Sequence, residues 1–282
     1  MNINDNILLI GGDNRQEYLY KQLKADGYNI SALDVPGITI SYDMDEFLDS
    51  DSKLSNYNVI LLPIPYSKNK HTINSVSDSI GIDYLLELLT PGTIIYGGSM
   101  DKVFKEKCHS KRVMVWDIIE SDSFALYNSI ATAEGAIAEA IIHSPLNLHK
   151  SNVLVLGYGR CGSTLAKKLV SLNCIVDVCA RRDVQKALAY EDGCNSFSFD
   201  KLESKIKTYD FIFNTIPAKV LNKELLTLVK SDVTIIDISS NPGGTDFDIC
   251  KKIGINAHLC LGLPGKYSPA TSAKIICNCI KT

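Results

Sequence analysis

The sequence has no apolar stretch that approaches the roughly 18 residues needed to cross a bilayer as a helix. Its first residues, Met1-Asn-Ile-Asn-Asp5, do not follow the basic, apolar and small order of a secretory signal peptide. The nine cysteines are odd in number and scattered without a pairing rhythm, which favours free thiols in a reducing compartment. These absences predict a cytoplasmic protein without a membrane segment or a disulfide framework.

Neither charge nor histidine is concentrated anywhere in the chain. The net charge is −3, and acidic and basic residues are mixed along the whole length, which argues against nucleic acid or a membrane surface as partner. The five histidines show no metal-ligand spacing. Cys277-Asn-Cys279 lacks a second pair of ligands and lies in an apolar, helix-like segment. We therefore expect no metal site.

Strand-like and helix-like segments alternate through the first half of the chain. We predict short buried strands at 7–10, 28–33, 59–62, 93–96 and 112–116, and helices at 15–26, 79–89 and 101–109. This alternation is typical of a doubly wound parallel sheet with helices on both faces. It predicts an N-terminal, flavodoxin-like substrate domain over residues 1–127.

The same alternation restarts after Ser151. Strands are predicted at 153–156, 174–180, 196–199, 211–214, 233–238 and 257–261, and helices at 162–172, 184–191, 221–230 and 247–253. We interpret residues 145–267 as a second doubly wound parallel-sheet domain, of the Rossmann dinucleotide-binding type. The fold class is therefore α/β, with two such domains.

Two further helices concern both halves. An Ala- and Ile-rich segment, 128–144, is predicted to be the interdomain helix, which ends before Pro145 because a helix does not readily continue through proline. The amphipathic segment Pro269–Ile280 is predicted to be a final helix. By analogy with comparable dehydrogenases, we expect residues 268–282 to pack back on the first domain.

The most informative motif is Gly157-Tyr-Gly159-Arg-Cys-Gly162, which follows an apolar strand and opens an amphipathic helix. In such a fingerprint the first glycine permits the tight turn, the second admits a pyrophosphate, and the third lets helix and strand pack closely. The helix N-terminus then offers N–H groups to the phosphates. We predict that all six residues, Tyr158, Arg160 and Cys161 included, form a dinucleotide site.

The end of the next strand indicates which dinucleotide binds. Asp177 lies near the position from which an acidic residue would bind the ribose hydroxyls of NAD, but the strand is predicted to continue to Ala180. Its tip therefore carries Arg181 and Arg182, and guanidinium groups suit the 2′-phosphate of NADP. NADP is the predicted cofactor, although solvated arginines and NAD remain the alternative.

Loops after other strands are expected to complete the rim, because ligands of open parallel sheets bind beyond the carboxyl ends of the strands. Each loop alone would be an ordinary turn. The predicted cofactor contacts in these loops are Asn214, Thr215, Ile216, Pro217, Ser239 and Gly262.

Candidate substrate residues come from two further segments. Ile10-Gly-Gly-Asp13-Asn-Arg15 begins a helix without a third glycine, so Arg15 suits a substrate carboxylate rather than a second dinucleotide. Asp13 as a helix cap with a surface Arg15 is the alternative. Thr132 and Glu134 lie at the start of the interdomain helix, and we predict with Arg15 that they line a substrate cleft. Arg160 and Lys266 are further candidate anchors.

Several of these segments together resemble the A subunit of dipicolinate synthase. The resemblance rests on Leu126-Tyr-Asn-Ser-Ile-Ala-Thr-Ala-Glu-Gly135, Asn241-Pro-Gly-Gly-Thr-Asp-Phe247 and Gly262-Leu-Pro-Gly265, together with the Gly157–Gly162, Asn214–Pro217 and Leu9–Gln16 segments. It extends over nearly the full chain in order. Ala131 stands where the family pattern has proline, which leaves Thr132 and Glu134 in place.

The resemblance implies an NADP-dependent oxidoreductase that converts 4-hydroxy-tetrahydrodipicolinate, a small dicarboxylate, to dipicolinate in spore-forming bacteria. It also implies that a flavoprotein-like B subunit is the partner, and hence an oligomer. Two alternatives stay open: a dehydrogenase of another small carboxylic acid, of the 2-hydroxy acid or shikimate type, and a non-catalytic NADP-binding subunit. The Lys–Asp or His–Glu pair usual in such dehydrogenases is not recognisable in the sequence.

Overall fold

The computed structural model describes residues 1–38 and 54–281, which form two compact units. Unit 1 comprises residues 1–125 and 268–282, and unit 2 comprises residues 126–267. Residues 39–53 of the predicted first domain and residue 282 of the predicted tail lie outside the described part. Each unit is built around a parallel sheet of its own, which confirms the predicted α/β fold class.

Unit 1 contains a five-stranded parallel sheet in the order β2-β1-β3-β4-β5, the order of flavodoxin-type folds. Its strands are β1 (Asn6–Ile10), β2 (Asn29–Leu33), β3 (Val59–Leu61), β4 (Ile94–Gly97) and β5 (Met114–Asp117), and its helices are α1 (Asn14–Ala25), α2 (Ile82–Leu88), α3 (Lys102–Ser110), the first four residues of α4 (Asp122–His143), and α11 (Pro269–Lys281).

Strand β1 of unit 1 is apolar on both faces because helices cover both faces. Ile7 and Leu9 pack with Leu19 of α1 and with Ile276 of α11, and Leu8 packs in the opposite cluster with Phe104 of α3. The last helix therefore contributes to the core of unit 1.

Unit 2 contains a six-stranded parallel sheet in the order β11-β10-β9-β6-β7-β8, which is the Rossmann order counted from β6. Its strands are β6 (Asn152–Leu156), β7 (Ile175–Cys179), β8 (Asn195–Phe197), β9 (Phe211–Asn214), β10 (Thr234–Asp237) and β11 (Asn256–Leu259). Its helices are the rest of α4, α5 (Arg160–Ser171), α6 (Asp183–Glu191), α7 (Leu202–Lys205), α8 (Lys223–Leu226), α9 (Phe247–Ile253) and α10 (Leu263–Tyr267).

The helix α4 packs closely on unit 2 because its inward face is small. Ala133, Ala136 and Ala140 are fully buried in the core of unit 2. A Cβ atom added at Gly135 would lie 2.8 Å from the Cβ of Leu263, so glycine allows α10 to approach α4 at this point. This close approach holds the segment after β11 against the unit 2 part of α4.

Three predicted helices differ from the observed ones by three residues or more at one end. The predicted helix 221–230 is only the four-residue α8, because Leu221 is engaged in a parallel bridge with Thr245 and Asn222 then caps the helix. The predicted helix 79–89 begins at Ile82, because Gly81 forms an antiparallel bridge with Thr72.

The third correction concerns the interdomain helix. The predicted segment 128–144 belongs to α4, which already begins at Asp122 and ends at His143. The hydroxyl of Ser121 accepts a hydrogen bond from the backbone N–H of Phe124, and the carbonyl of Ser121 accepts one from Ala125. These two bonds satisfy the first turn and set the earlier start.

Candidate functional site

The predicted cofactor residues of unit 2 meet at the carboxyl edge of its sheet. Leu156 at the end of β6 lies in register with Cys179 of β7 and with Asn214 of β9, and Asn214 lies in register with Asp237 of β10. The loops that follow these strands are consequently neighbours, as predicted for a parallel sheet. Leu259 of β11 extends the same edge.

The three glycines of the β6–α5 loop are required for different reasons. Gly157 has φ of +92°, and a Cβ atom added there would lie 2.6 Å from the hydroxyl of Thr215. A Cβ at Gly162 would lie 2.3 Å from the carbonyl oxygen of Gly157. At Gly159, by contrast, φ is −88° and no described atom lies within 4 Å of an added Cβ.

Neither the backbone angles nor the neighbouring atoms of the protein therefore require glycine at position 159. Its backbone conformation is open to any residue, and the space beside it is empty of described protein atoms. The second glycine of a dinucleotide fingerprint admits the backbone to a pyrophosphate, and the space at Gly159 fits that use. Gly159 is also the N-cap of α5 and supplies no side-chain cap, so the first-turn N–H groups face this space uncapped.

Two hydrogen bonds with α6 and its C-terminal end hold the glycine loop in place. Tyr158 is buried, and its phenol donates a hydrogen bond of 2.5 Å to Asp192 at the C-terminal end of α6. Gln185 of α6 donates to the backbone carbonyl of Tyr158 at 3.0 Å. The Tyr158 side chain, predicted as a cofactor contact, is thus engaged within the protein, and it fixes the loop whose backbone faces the open space.

The next strand end carries the two predicted arginines. Gly157 donates its backbone N–H to the carbonyl of Cys179, so the glycine loop lies directly beside the end of β7. Arg181 and Arg182 follow this end, are exposed, and form no side-chain ion pair with any residue in 1–38 or 54–281. Two cationic groups therefore stand beside the glycine loop. Asp183, the next residue, is 97% exposed and pairs with Lys186.

Asp177 lies inside β7, as predicted, and its carboxylate is engaged by hydrogen bonds within the protein. It lies in the middle of the strand and is buried. It accepts hydrogen bonds from the phenol of Tyr209 at 2.7 Å, from Asn195 at 2.9 Å and from Lys205 at 3.2 Å. Its carboxylate therefore serves the packing of β7, β8 and the segment before β9.

The loops after β9 and β10 are joined through a fully buried carboxylate. One oxygen of Asp237, Oδ1, accepts from the backbone N–H and hydroxyl of Ser239, at 3.0 and 2.6 Å. The other, Oδ2, accepts from Asn214 Nδ2 at 2.9 Å, from Gly244 N at 2.9 Å and from Thr245 Oγ1 at 2.7 Å. The predicted strand 233–238 includes Asp237, for which the sequence indicated no role.

The other predicted cofactor contacts in the loops after β9, β10 and β11 are partly buried and partly exposed. Thr215 donates its hydroxyl to the carbonyl of Leu156 at 2.8 Å, which ties the β9 loop to the glycine loop. Ser239 is buried through its bonds to Asp237, whereas Pro217 and Gly262 are exposed. Ile216 is partly buried beside the position where a Cβ of Gly157 would lie.

Arg15 in unit 1 is buried rather than a surface side chain. Its guanidinium donates to both carboxylate oxygens of Asp13, at 2.8 and 2.7 Å, and to the carbonyl of Ile64 at 2.6 Å. Asp13 is also the N-cap of α1 and forms a capping box with Gln16. The helix cap considered for Asp13 is therefore present, and the same carboxylate neutralises Arg15.

The two candidates on α4 have local partners. Thr132 donates its hydroxyl to the carbonyl of Asn128, one turn earlier. Glu134 is exposed and forms an ion pair of 2.9 Å with Lys168 of α5. Both contacts are structural, and whether these residues also touch substrate stays a prediction.

A cluster around the buried carboxylate of Glu139, which the sequence did not indicate, lies between α4, α10 and β11. Glu139 is buried and accepts a hydrogen bond of 2.5 Å from Lys266 and lies 3.1 Å from the imidazole of His143. Burial alone would raise the pKa of Glu139, but the hydrogen bond and charge of Lys266 hold it below its ordinary value. Lys266, considered above as a substrate anchor, is therefore already paired.

This cluster includes a His–Glu pair beside β11, the edge strand that β9 and β10 separate from β6. The backbone carbonyl of His143 accepts from Asn256, the first residue of β11, which marks the amino end of the strand. The imidazole of His143 stacks on that of His258, with ring centroids 3.6 Å apart. Burial lowers the pKa of His258, and the charge of His143 adds to the effect.

The cysteines of the described residues are free thiols, and none is activated. Burial raises the pKa of Cys161 in the glycine loop, although the nearby Arg160 opposes the effect. Within residues 1–38 and 54–281 no group of three metal-ligating side chains could hold a metal ion. No helix of the described chain is long and apolar enough to span a membrane.

A Rossmann sheet with an open glycine loop at its carboxyl edge is typical of the dinucleotide-binding domains of dehydrogenases. Residues 125–242 match the family described as D-isomer specific 2-hydroxyacid dehydrogenase, NAD binding domain. Residues 6–119 match the N-terminal domain of the dipicolinate synthase A subunit. Both halves of the chain are thereby accounted for.

The chain belongs to the family of dipicolinate synthase A subunits. It is 34% identical over 284 residues to the dipicolinate synthase A subunit of Bacillus subtilis (strain 168), covering 96% of this chain and 93% of that protein. The crystal structure of the Bacillus halodurans A subunit has a TM-score of 0.87 at 29% identity, covering 99% and 97% of the two chains. The Bacillus subtilis A chain has a TM-score of 0.83 at 30% identity, covering 99% and 95%.

Proposed function

We propose that this chain is the subunit of a dipicolinate synthase that oxidises 4-hydroxy-tetrahydrodipicolinate with NADP and acts together with a B subunit. Membership of the A-subunit family over nearly the whole chain carries the choice of reaction. In the proposed conversion the substrate loses water and transfers a hydride to NADP⁺, giving dipicolinate, NADPH and a proton. Aromatisation of the ring supplies much of the driving force.

The exposed arginines beside the glycine loop support the choice of NADP. Arg181 and Arg182 are free of side-chain ion pairs within the described residues and follow the strand end that borders Gly157. Guanidinium groups bind phosphate by charge-assisted hydrogen bonds and remain charged at every physiological pH. Asp177, the acidic residue nearest the position used by NAD-binding enzymes, is occupied by Tyr209, Asn195 and Lys205.

The bound dinucleotide would supply the hydride acceptor, and the chain would position it. Gly159 and the first turn of α5 would hold the pyrophosphate, because the space at Gly159 is open and the turn is uncapped. Asn214 and the loop that Asp237 orders would border the other end of the dinucleotide. Pre-ordered loops reduce the cost of aligning two reactants.

The substrate contacts are less complete in the chain than the cofactor contacts. Arg15, Thr132 and Glu134 remain the proposed substrate residues, and each already has a partner within the chain. Lys266 is paired with Glu139. If a dicarboxylate substrate leaves these pairs intact, its carboxylates need other cationic groups to bind to. This favours cationic groups contributed by the B subunit.

The experiment that tests this proposal measures NADPH formation by the purified chain, alone and with the B subunit, on 4-hydroxy-tetrahydrodipicolinate. We expect the chain alone to bind NADP but to turn over slowly, and the B subunit to raise kcat with little change in cofactor affinity. A misplacement of about 1 Å can cost on the order of a hundredfold in rate, so a missing wall of the pocket should be visible. Full activity without the B subunit would contradict the partner requirement.

The same assay separates the alternative reactions. Residues 125–242 match a 2-hydroxyacid dehydrogenase domain, so 2-hydroxy acids are tested as substrates beside the dicarboxylate. The His143–Glu139 pair lies beside the edge strand β11, and both side chains are engaged within the protein, His143 by stacking on His258 and Glu139 by its bond to Lys266. Oxidation of a 2-hydroxy acid without activity on the dicarboxylate would replace the proposed reaction. Cofactor binding without any turnover would leave a binding subunit.

Cofactor choice is tested by replacing Arg181 and Arg182 together with alanine. Each charge-assisted contact contributes about 1.5–3 kcal/mol, so NADP affinity should fall about tenfold or more per arginine. NAD affinity should stay nearly unchanged, because its ribose carries no 2′-phosphate. Titration of both cofactors against wild type and the double variant provides the measurement. Equal wild-type affinity for NAD and NADP would contradict the choice.

A further inference from the structure

Asp237 is a fully buried carboxylate without a cationic partner. Its five hydrogen-bond donors come from neutral groups: the backbone of Ser239 and Gly244, the hydroxyls of Ser239 and Thr245, and the amide of Asn214. No ion pair to Asp237 occurs in residues 1–38 and 54–281. Buried aspartates are rarely left without a cation, since removing a charge from water is costly.

Both carboxylate oxygens receive N–H donors, which is the pattern of the ionised form. Oδ1 accepts from Ser239 N, and Oδ2 accepts from Gly244 N and Asn214 Nδ2. A neutral asparagine in the same place would turn one –NH₂ group toward other donors. The donors around Asp237 therefore suit a negatively charged carboxylate and not a neutral amide of the same size.

The charge lies at the end of the sheet where the nicotinamide is expected. The uncapped turn of α5 marks the phosphates, and Arg181 and Arg182 mark the adenosine side beyond β7. In this strand order the dinucleotide lies across the carboxyl ends on both sides of β6, so its other half extends over β9 and β10. Asn214 and Asp237 end those two strands.

We infer that Asp237 is a positioning and selectivity residue that favours the oxidised cofactor over the reduced one. The inference rests on the proposed nicotinamide site. The oxidised nicotinamide ring carries a positive charge that the reduced ring lacks, so a nearby buried negative charge stabilises only the oxidised form. Burial keeps this charge from being screened by solvent, and its effect extends beyond direct contact.

The test compares dissociation constants for the oxidised and reduced forms of whichever cofactor binds wild type more tightly. In Asp237→Asn the ratio of the oxidised to the reduced dissociation constant should rise about three- to tenfold. Calorimetry follows the oxidised form, and the fluorescence of the reduced nicotinamide follows the reduced form. Equal weakening of both forms, or no change, would overturn the inference and leave Asp237 a structural residue.

Two control variants separate charge from packing. Thr245→Val removes one donor to Asp237 but keeps the charge, so the ratio should stay within about twofold of wild type. Asp177→Asn removes a buried carboxylate from the middle of β7, away from the strand ends, and should lower stability without changing the ratio. A shift in either control as large as that in Asp237→Asn would also overturn the inference.

A measurement on wild type decides the matter if Asp237→Asn does not fold. An analogue of the oxidised cofactor with a neutral benzamide ring differs only by carbon in place of the charged ring nitrogen. Wild type should bind this analogue about three- to tenfold more weakly than the oxidised cofactor. Equal affinity would overturn the inference. Failure of wild type to bind any nicotinamide dinucleotide would instead remove the proposed function itself.

Discussion

The two units each lead a buried strand through glycine into a helix, and they complete this turn differently. In unit 1, Asp13 caps α1, and a Cβ added at Gly12 would lie 2.3 Å from Gln16, so the chain fills its own turn. In unit 2 the N-cap that corresponds to Asp13 is Gly159, which supplies no side-chain cap and borders open space. The comparison favours a ligand at the turn of unit 2, which the protein leaves unfilled, over one at the turn of unit 1.

The strongest test of this comparison adds a side chain to the open turn. Gly159→Val should weaken cofactor binding about 100-fold or more, because it excludes the pyrophosphate from its N–H donors, a loss of roughly 3 kcal/mol. The melting temperature should change little, since φ of −88° suits valine and the space is open. Calorimetric titration and thermal unfolding measure the two effects.

The matched control alters the filled turn. Gly12→Ala should lower the free energy of unfolding by about 1–3 kcal/mol, because φ at Gly12 is +103° and Gln16 occupies the space. Cofactor affinity should be unchanged. If Gly159→Val destabilises the protein as strongly as Gly12→Ala without weakening the cofactor, the two turns do not differ as described.

The second test concerns the ion pair of unit 1 between the buried Arg15 and the partly exposed Asp13. Arg15→Ala should lower the free energy of unfolding by about 1–3 kcal/mol, because it removes the guanidinium that donates to Asp13 and to the carbonyl of Ile64. If Arg15 also binds substrate, KM rises while cofactor affinity holds. Lys21→Ala is the control, since Lys21 belongs to an exposed pair with Glu17 and should leave stability and KM unaffected. An unchanged KM in Arg15→Ala would exclude Arg15 from the substrate site.

The smallest expected effect concerns the half-buried ion pair of unit 2, in which Glu139 is buried and Lys266 is exposed. Because the folded state holds the pKa of Glu139 below its ordinary value of 4.5, the pair stabilises the protein above that pH. The stabilisation is lost as pH falls through the folded-state pKa. Glu139→Gln should therefore be less stable than wild type at pH 7 by about 1–2 kcal/mol, and the difference should shrink below about pH 4.5.

Thermal unfolding of both proteins between pH 7 and pH 4 provides the measurement. Glu134→Gln is the control, because Glu134 belongs to an exposed pair with Lys168 and should show no such convergence. A stability difference between wild type and Glu139→Gln that is independent of pH would show that the ion pair contributes through shape and not charge.

The parts of the site that were predictable from sequence are those that depend on local order along the chain. A strand, a glycine fingerprint and a helix follow one another in Gly157–Gly162, so their geometry is set by neighbours. Asp177 could be predicted to lie within its strand rather than at the tip, because apolar residues continue the strand beyond it. The arginine positions follow from the end of the same strand.

The parts that were not predictable depend on distant partners. Lys266 and Glu139 are 127 residues apart, and nothing in either segment indicates the other. Asp237 is an ordinary strand-end aspartate until Asn214, Gly244 and Thr245 surround it. The predicted helix 221–230 was wrong for the same reason, because the bridge from Leu221 to Thr245 overrides a helical pattern.

The return of α11 to unit 1 sets an order on synthesis. Residues 126–267 form a contiguous unit, whereas unit 1 lacks Ile276 and Ile280 of its core until they leave the ribosome. Domains usually fold as they emerge, the N-terminal one first. Here all residues of unit 2 leave the ribosome before the core of unit 1 is complete. A chain truncated after residue 267 would therefore contain every residue of the second unit and a first unit without α11.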